Sequence, residues 1–213
     1  MLFFLLIILP AALCYYCATQ KDKRFVMPLF FGIMTGILLC SFKFFFFYTH
    51  RIVYDKFIIN VLYLFLNQML LPCAILYGAF FVCSKDTLDY KGKFCYPLLL
   101  SFYAFYLPYS VITSAEGLYT FFSVFVKPVL FLVMINEFSY FVRKCISLYE
   151  DEQTGSIAPQ IILCLISLAI PAVLEGFIII DRAVLFVYLI SLLYVLAGVI
   201  MKLKQIKASY DYE

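Results

Sequence analysis

Apolar residues in this chain gather into seven long runs separated by short polar stretches, at about 2–17, 25–48, 57–84, 94–113, 118–142, 157–180 and 183–201. A helix rises ~1.5 Å per residue and a hydrocarbon core is ~30 Å thick, so ~20 apolar residues suffice to cross it. Most of the runs reach that length. The pattern predicts an all-α polytopic bundle: one transmembrane domain of seven helices over residues 1–201, then a short tail, 202–213, on the cytoplasmic side.

The polar stretches carry the orientation. If the runs alternate across a bilayer, the first, third, fifth and seventh polar segments share a side. They hold Lys21, Lys23, Arg24, Lys85, Lys91, Lys93, Arg143, Lys144, Lys202, Lys204 and Lys207, eleven of the sixteen basic residues. The opposite loops hold three, Arg51, Lys56 and Arg182. Lysine and arginine mark the cytoplasmic side, which places the N-terminus outside and the C-terminus inside. No basic residue precedes the first run and the positive cluster follows it, the arrangement of a retained helix and not of a cleaved signal peptide.

Composition agrees with a cell-membrane location: 66% of residues are hydrophobic and 14% charged, outside the range of soluble domains. The net charge of +3 belongs to the inner loops, so it makes no case for nucleic acid. The expected surroundings are a lipid bilayer, a protein partner in the membrane or cytoplasm, and a small solute. With no soluble domain in the pattern, soluble chemistry would have to come from the partner.

Candidate chemistry is sparse. Eight cysteines include the pair Cys14 and Cys17 in a CxxC, but no second CxxC or nearby histidine completes a zinc site. The cytoplasm keeps thiols reduced, so free, packed cysteines are expected. His50 is the single histidine. No HExxH, Gly-x-Ser-x-Gly or phosphate-cradling glycine loop occurs. An intramembrane enzyme therefore ranks last among the functional readings, and no cofactor is called for.

Proline occurs in six of the seven runs. Pro72, Pro108, Pro128 and Pro171 are interior, where each removes a backbone donor and kinks its helix. Pro128 should free the carbonyl of Val124, and Pro171 that of Ser167. Gly32 and Gly36, four apart, allow close approach of another helix within the chain. Tyr48, Tyr54, Tyr90, Tyr96, Tyr119 and Tyr149 fit an interfacial belt. No internal repeat of the transporter kind is evident.

Ionisable and amide side chains within the runs are the candidates for function, because a charge at membrane depth needs a partner or a wet cavity. Lys127 should lie roughly 14 Å deep, with Asn67 and Gln68 at about the same level. Glu175 and Lys43 should lie about 9 Å below the outer surface. Together these five form an expected outer cluster: a ligand-binding pocket in the outer half that favours an anionic or zwitterionic solute. The competing reading is structural, with Lys127 paired to Glu175, Asn67 bonding across helices, and Lys43 reaching up to the interface. Glu137, near the inner end, is expected to reach the interface or to meet Arg143 or Lys144. The first functional reading is a solute-binding or transport-related subunit. The alternative is a non-catalytic sensor, scaffold or assembly factor acting through a partner.

The charge pattern generates a test. Reporter fusions after Lys93 and after Glu213 should read cytoplasmic and one after Glu116 external; a cytoplasmic signal at Glu116 would overturn the seven-span topology.

Overall fold

The computed structural model describes residues 2–20, 22–46, 56–84, 87–112, 120–180 and 183–210. Among them there are helices and no strand. In chain order the helices are α1 (Leu2–Thr19), α2 (Val26–Phe46), α3 (Phe57–Cys83), α4 (Leu88–Lys93), α5 (Cys95–Ile112), α6 (Phe122–Glu150), α7 (Ile157–Ile179) and α8 (Val184–Tyr210).

Six helices are long and apolar enough to cross a membrane: α2, α3, α5, α6, α7 and α8. The described apolar stretch of α1, Ile7–Thr19, is shorter than these six. It nonetheless packs with them, since Leu9 is buried and Leu13 and Tyr16 lie against the same core.

The helix boundaries differ from the apolar runs in an instructive way. α6 continues past residue 142 to Glu150, so Arg143 and Lys144 are helical and not in a loop. α8 runs through Lys202 and Lys204 to Tyr210, absorbing most of the expected tail. The stretch after Cys83 contains α4, started by Thr87, whose hydroxyl accepts from the Tyr90 amide. Hydropathy marks where lipid ends; a helix continues into water wherever its residues favour it. α6 ends at Glu150; two residues on, Glu152 has a left-handed φ of 58°, and the Gln153 amide turns back to the Leu148 carbonyl. That is the usual way to end a helix, here without glycine.

α5 is the centre of the bundle. In its most apolar window 72% of residues are buried, against 17% in α8 and 22% in α2. Phe102, Tyr103, Tyr106 and Leu107 all point into the core. α2 lies directly on α5 because its glycines permit it. A Cβ at Gly32 would overlap Ser101 Oγ and the Leu98 carbonyl, and one at Gly36 would come within 3.2 Å of the Phe102 carbonyl. The two glycines therefore serve packing within the chain. Gly176 on α7 meets Val61 of α3 in the same manner. Of the belt tyrosines, Tyr90 and Tyr149 lie on the polar side of the helix ends and Tyr96 is half-buried against Tyr16; Tyr48, Tyr54 and Tyr119 fall outside the described residues, as do His50, Arg51 and Arg182.

The α2–α5 contact predicts an ordering of variants. Gly32→Ala should cost about 1–3 kcal/mol through overpacking. Gly78→Ala, where nothing lies within 4 Å, should be neutral or slightly stabilising. Thermal unfolding in detergent measures both, and equal melting temperatures would contradict the contact.

Candidate functional site

Two turns of helix in this bundle are wider than an α-helix, and each sits just ahead of an interior proline. They span Phe65–Leu70 before Pro72 and Phe122–Val126 before Pro128. In the first, the Leu71 amide bonds to the Leu66 carbonyl five residues back. The next amide, which could serve Asn67, would be that of residue 72, and proline has none. The Asn67 carbonyl thus loses its donor at both the α and the wider spacing. The second turn repeats the pattern. The Lys127 amide bonds to the Phe122 carbonyl, so the carbonyl left without these donors is that of Ser123. The sequence expectation named Val124, four residues before Pro128, which stands to that proline as Gln68 does to Pro72; the wider turn adds Ser123 to it. Such one-turn expansions relieve the clash of the proline ring with the preceding turn and recur at functional positions. Pro108 and Pro171, by contrast, lie inside helices with no such segment.

The freed carbonyls collect donors from α2 and α5. The Lys43 ammonium donates to the Asn67 carbonyl at 3.2 Å, to Asn67 Oδ1 at 2.8 Å and to the Tyr106 hydroxyl at 2.6 Å. Tyr106 in turn donates to the Asn67 carbonyl at 3.1 Å, and Asn67 Nδ2 donates to the Tyr63 hydroxyl at 3.0 Å. One turn along α5, the Tyr103 hydroxyl reaches the Gln68 carbonyl, the one freed by Pro72, at 3.3 Å. Cys73 Sγ lies 3.2 Å from the same hydroxyl.

On the other side of the same peptide, Gln68 points toward α6 and α7. The Lys127 ammonium donates to Gln68 Oε1 at 2.9 Å and lies 2.9 Å from each oxygen of the Glu175 carboxylate. Lys127 is 2% exposed and Glu175 5%. The charges that cannot be left alone in hydrocarbon neutralise each other. Consecutive helices run antiparallel, which brings Glu175 on α7 to the level of Lys127 on α6.

All five expected residues therefore meet, but as two arrangements joined through the Asn67–Gln68 peptide. Lys43 departs from the expectation that it rises to the interface: freed carbonyls below it offer better acceptors than a partly wet surface. Glu137 likewise does not use Arg143 or Lys144. It accepts a hydrogen bond from Tyr194 of α8 at 2.8 Å. Tyr63, Tyr103 and Tyr106 were missed, although the signal existed. Tyr103 and Tyr106 lie three apart in an apolar run, on one helix face, and a phenol at that depth requires an acceptor.

Elsewhere the described residues hold less chemistry. All eight cysteines are free thiols, and no group of three or more metal-type ligands occurs among the described residues. An apolar cleft of ≈ 260 Å³ lies between α7 and α8, lined by Ile166, Ile170, Phe177, Phe186 and Ile190. Before α2, Asp22 accepts from Arg24 and Lys93 at 3.0 and 3.3 Å. The Arg24 hydrogen bonds hold its carboxyl well below the ordinary aspartate range.

The architecture is that of a multi-pass helical membrane protein, with six helices able to span. No protein-family model matches the chain, and no curated protein or solved structure shows significant similarity to it.

The pair predicts a double-mutant pattern. Lys127→Met should cost about 3–5 kcal/mol by stranding a buried carboxylate. Lys43→Met should cost about 1–2 kcal/mol, the scale of hydrogen bonds between membrane helices. Replacing Lys127 and Glu175 together by methionine should recover much of the first loss. Thermal unfolding in detergent reads all three, and a double variant as unstable as Lys127→Met would show that the pair is not what holds α6 to α7.

Proposed function

We propose that this chain is a non-catalytic component of the cell membrane that acts through a protein partner, with its N-terminus outside and its C-terminus in the cytoplasm. The orientation is supported by the eleven-to-three sorting of basic residues. The non-catalytic reading is supported by one observation above the others: Lys127 is closed onto Gln68 and Glu175 at 2.9 Å and is shielded from solvent. A solute pocket needs such a charge facing a cavity. A scaffold needs it spent on a neighbouring helix, as here. The pair ties α6 to α7, and Gln68 ties both to α3. The membrane thereby holds a fixed arrangement of helices whose basic ends face the cytoplasm.

A second reading, a solute-binding or transport-related subunit, draws on the wide turns at Phe65–Leu70 and Phe122–Val126. Irregular backbone at membrane depth commonly lines the sites of transporters.

Labelling by a membrane-impermeant amine reagent, in sealed right-side-out vesicles, distinguishes the two. Lys56, exposed on the expected outer side, should react, and Lys127 should remain unmodified by mass spectrometry. Modification of Lys127 at a rate comparable to Lys56 would reveal an outward-open pocket and overturn the scaffold reading in favour of solute binding.

A further inference from the structure

Lys43 differs from Lys127 in the company it keeps. Its three protons meet three neutral oxygens, the carbonyl and side-chain oxygens of Asn67 and the hydroxyl of Tyr106. The face of the Tyr106 ring lies 5.0 Å away. Among the described residues no carboxylate lies within the 4.0 Å that would make an ion pair with it. An ammonium is thus held by neutral dipoles, with the Asn67 and Tyr106 oxygens converging on its nitrogen. The cage exists independently of the lysine, because its central oxygen is the Asn67 carbonyl that the wide turn and Pro72 deprive of its own donors.

We propose that this cage is a binding site for a monovalent cation, and that the chain fills it with its own ammonium. The argument is one of chemical equivalence. Neutral carbonyl and hydroxyl oxygens replace the hydration shell of an alkali cation, as they do in ion filters and in the unwound helices of transporters. Sodium or potassium carries the same single charge as the ammonium and makes the same demand for converging oxygens. A divalent ion does not fit, because hard dications take carboxylates and none belongs to the set. The long aliphatic stem of Lys43 starts near the outer end of α2, so the ammonium can withdraw to the outer interface and vacate the cage to a cation entering from that side. Lys43 is then a tethered occupant that competes with free cations. The proposal goes beyond the scaffold reading and does not depend on it: the Lys127–Glu175 pair stays closed in either state.

The test uses full-length protein in detergent, with chloride salts of sodium, potassium or choline at equal ionic strength. The wild type should melt at the same temperature in all three. Lys43→Ala should melt lower in choline and recover by several degrees in sodium or potassium, with saturation as concentration rises. Lys43→Ala combined with Asn67→Ala should lose that recovery. A folded Lys43→Ala protein with one melting temperature in all three salts would overturn the proposal and leave the cage as an anchor for the lysine. Should Lys43→Ala fail to fold, amine labelling of the wild type decides. Labelling of Lys43 should increase at least twofold when choline is replaced by sodium or potassium, and an unchanged extent would overturn the site.

Discussion

A backbone carbonyl in the bilayer must be given a donor, because no water is there to supply one. Two prolines in this chain take donors away, and much of the polar structure answers that loss. At Pro72 the deficit falls on Asn67 and Gln68, and three hydroxyl or ammonium groups from two other helices make it good. Long side chains of α2 and α5 thus reach across to the backbone of α3 at this level. It also explains why tyrosine occurs where a phenylalanine would otherwise serve: a ring fills the core and the hydroxyl at its tip serves the carbonyl. A proline that would be a defect in an isolated helix becomes the point at which three helices are joined.

The fold was legible where a single physical quantity controls it. Of the seven apolar runs expected to span, six coincide with helices long and apolar enough to cross a membrane, because hydropathy reports directly on burial in hydrocarbon. Their polar ends were not, since α6 and α8 continue as ordinary helices past the last apolar residue of each run. The spacing of Gly32 and Gly36 indicated a close helix contact but not its partner. The partner is the Leu98–Ser101 stretch of α5, whose atoms lie where a Cβ of Gly32 would be.

The candidate cluster was legible by depth and partly misread by direction. Counting residues from the outer ends put Lys127, Glu175 and Gln68 at reachable levels, and they pair. Depth does not say which way a long side chain bends. Lys43 turns inward because acceptors wait there, and those acceptors come from a register shift that no periodicity displays. Prolines announce one missing amide, but a turn widened to five-residue bonding leaves the preceding carbonyl without its donor as well, as at Ser123 beside Val124. The tyrosines of α5 were overlooked because tyrosine in a membrane sequence is first read as an interfacial residue.

The two lysines divide the electrostatics of the polar cluster between them. Lys127 is balanced by Glu175, so that charge is internal to the bundle and gives rigidity. Lys43 is solvated by dipoles and balanced by nothing beside it among the described residues, so its site retains a preference for positive charge whichever cation sits there. The two sites share the Asn67–Gln68 peptide. Residue 67 cannot reorient its carbonyl without turning the plane that also sets the position of Gln68, and Gln68 holds Lys127. A change of occupant in the outer cage would therefore be felt first as a strain on the contact between α3 and α6. The α6–α7 pair has its own two-oxygen contact with Glu175 and does not rely on that peptide. The bundle thus joins α6 to α7 by an ion pair and α2 to α3 and α5 by an ammonium held among neutral oxygens.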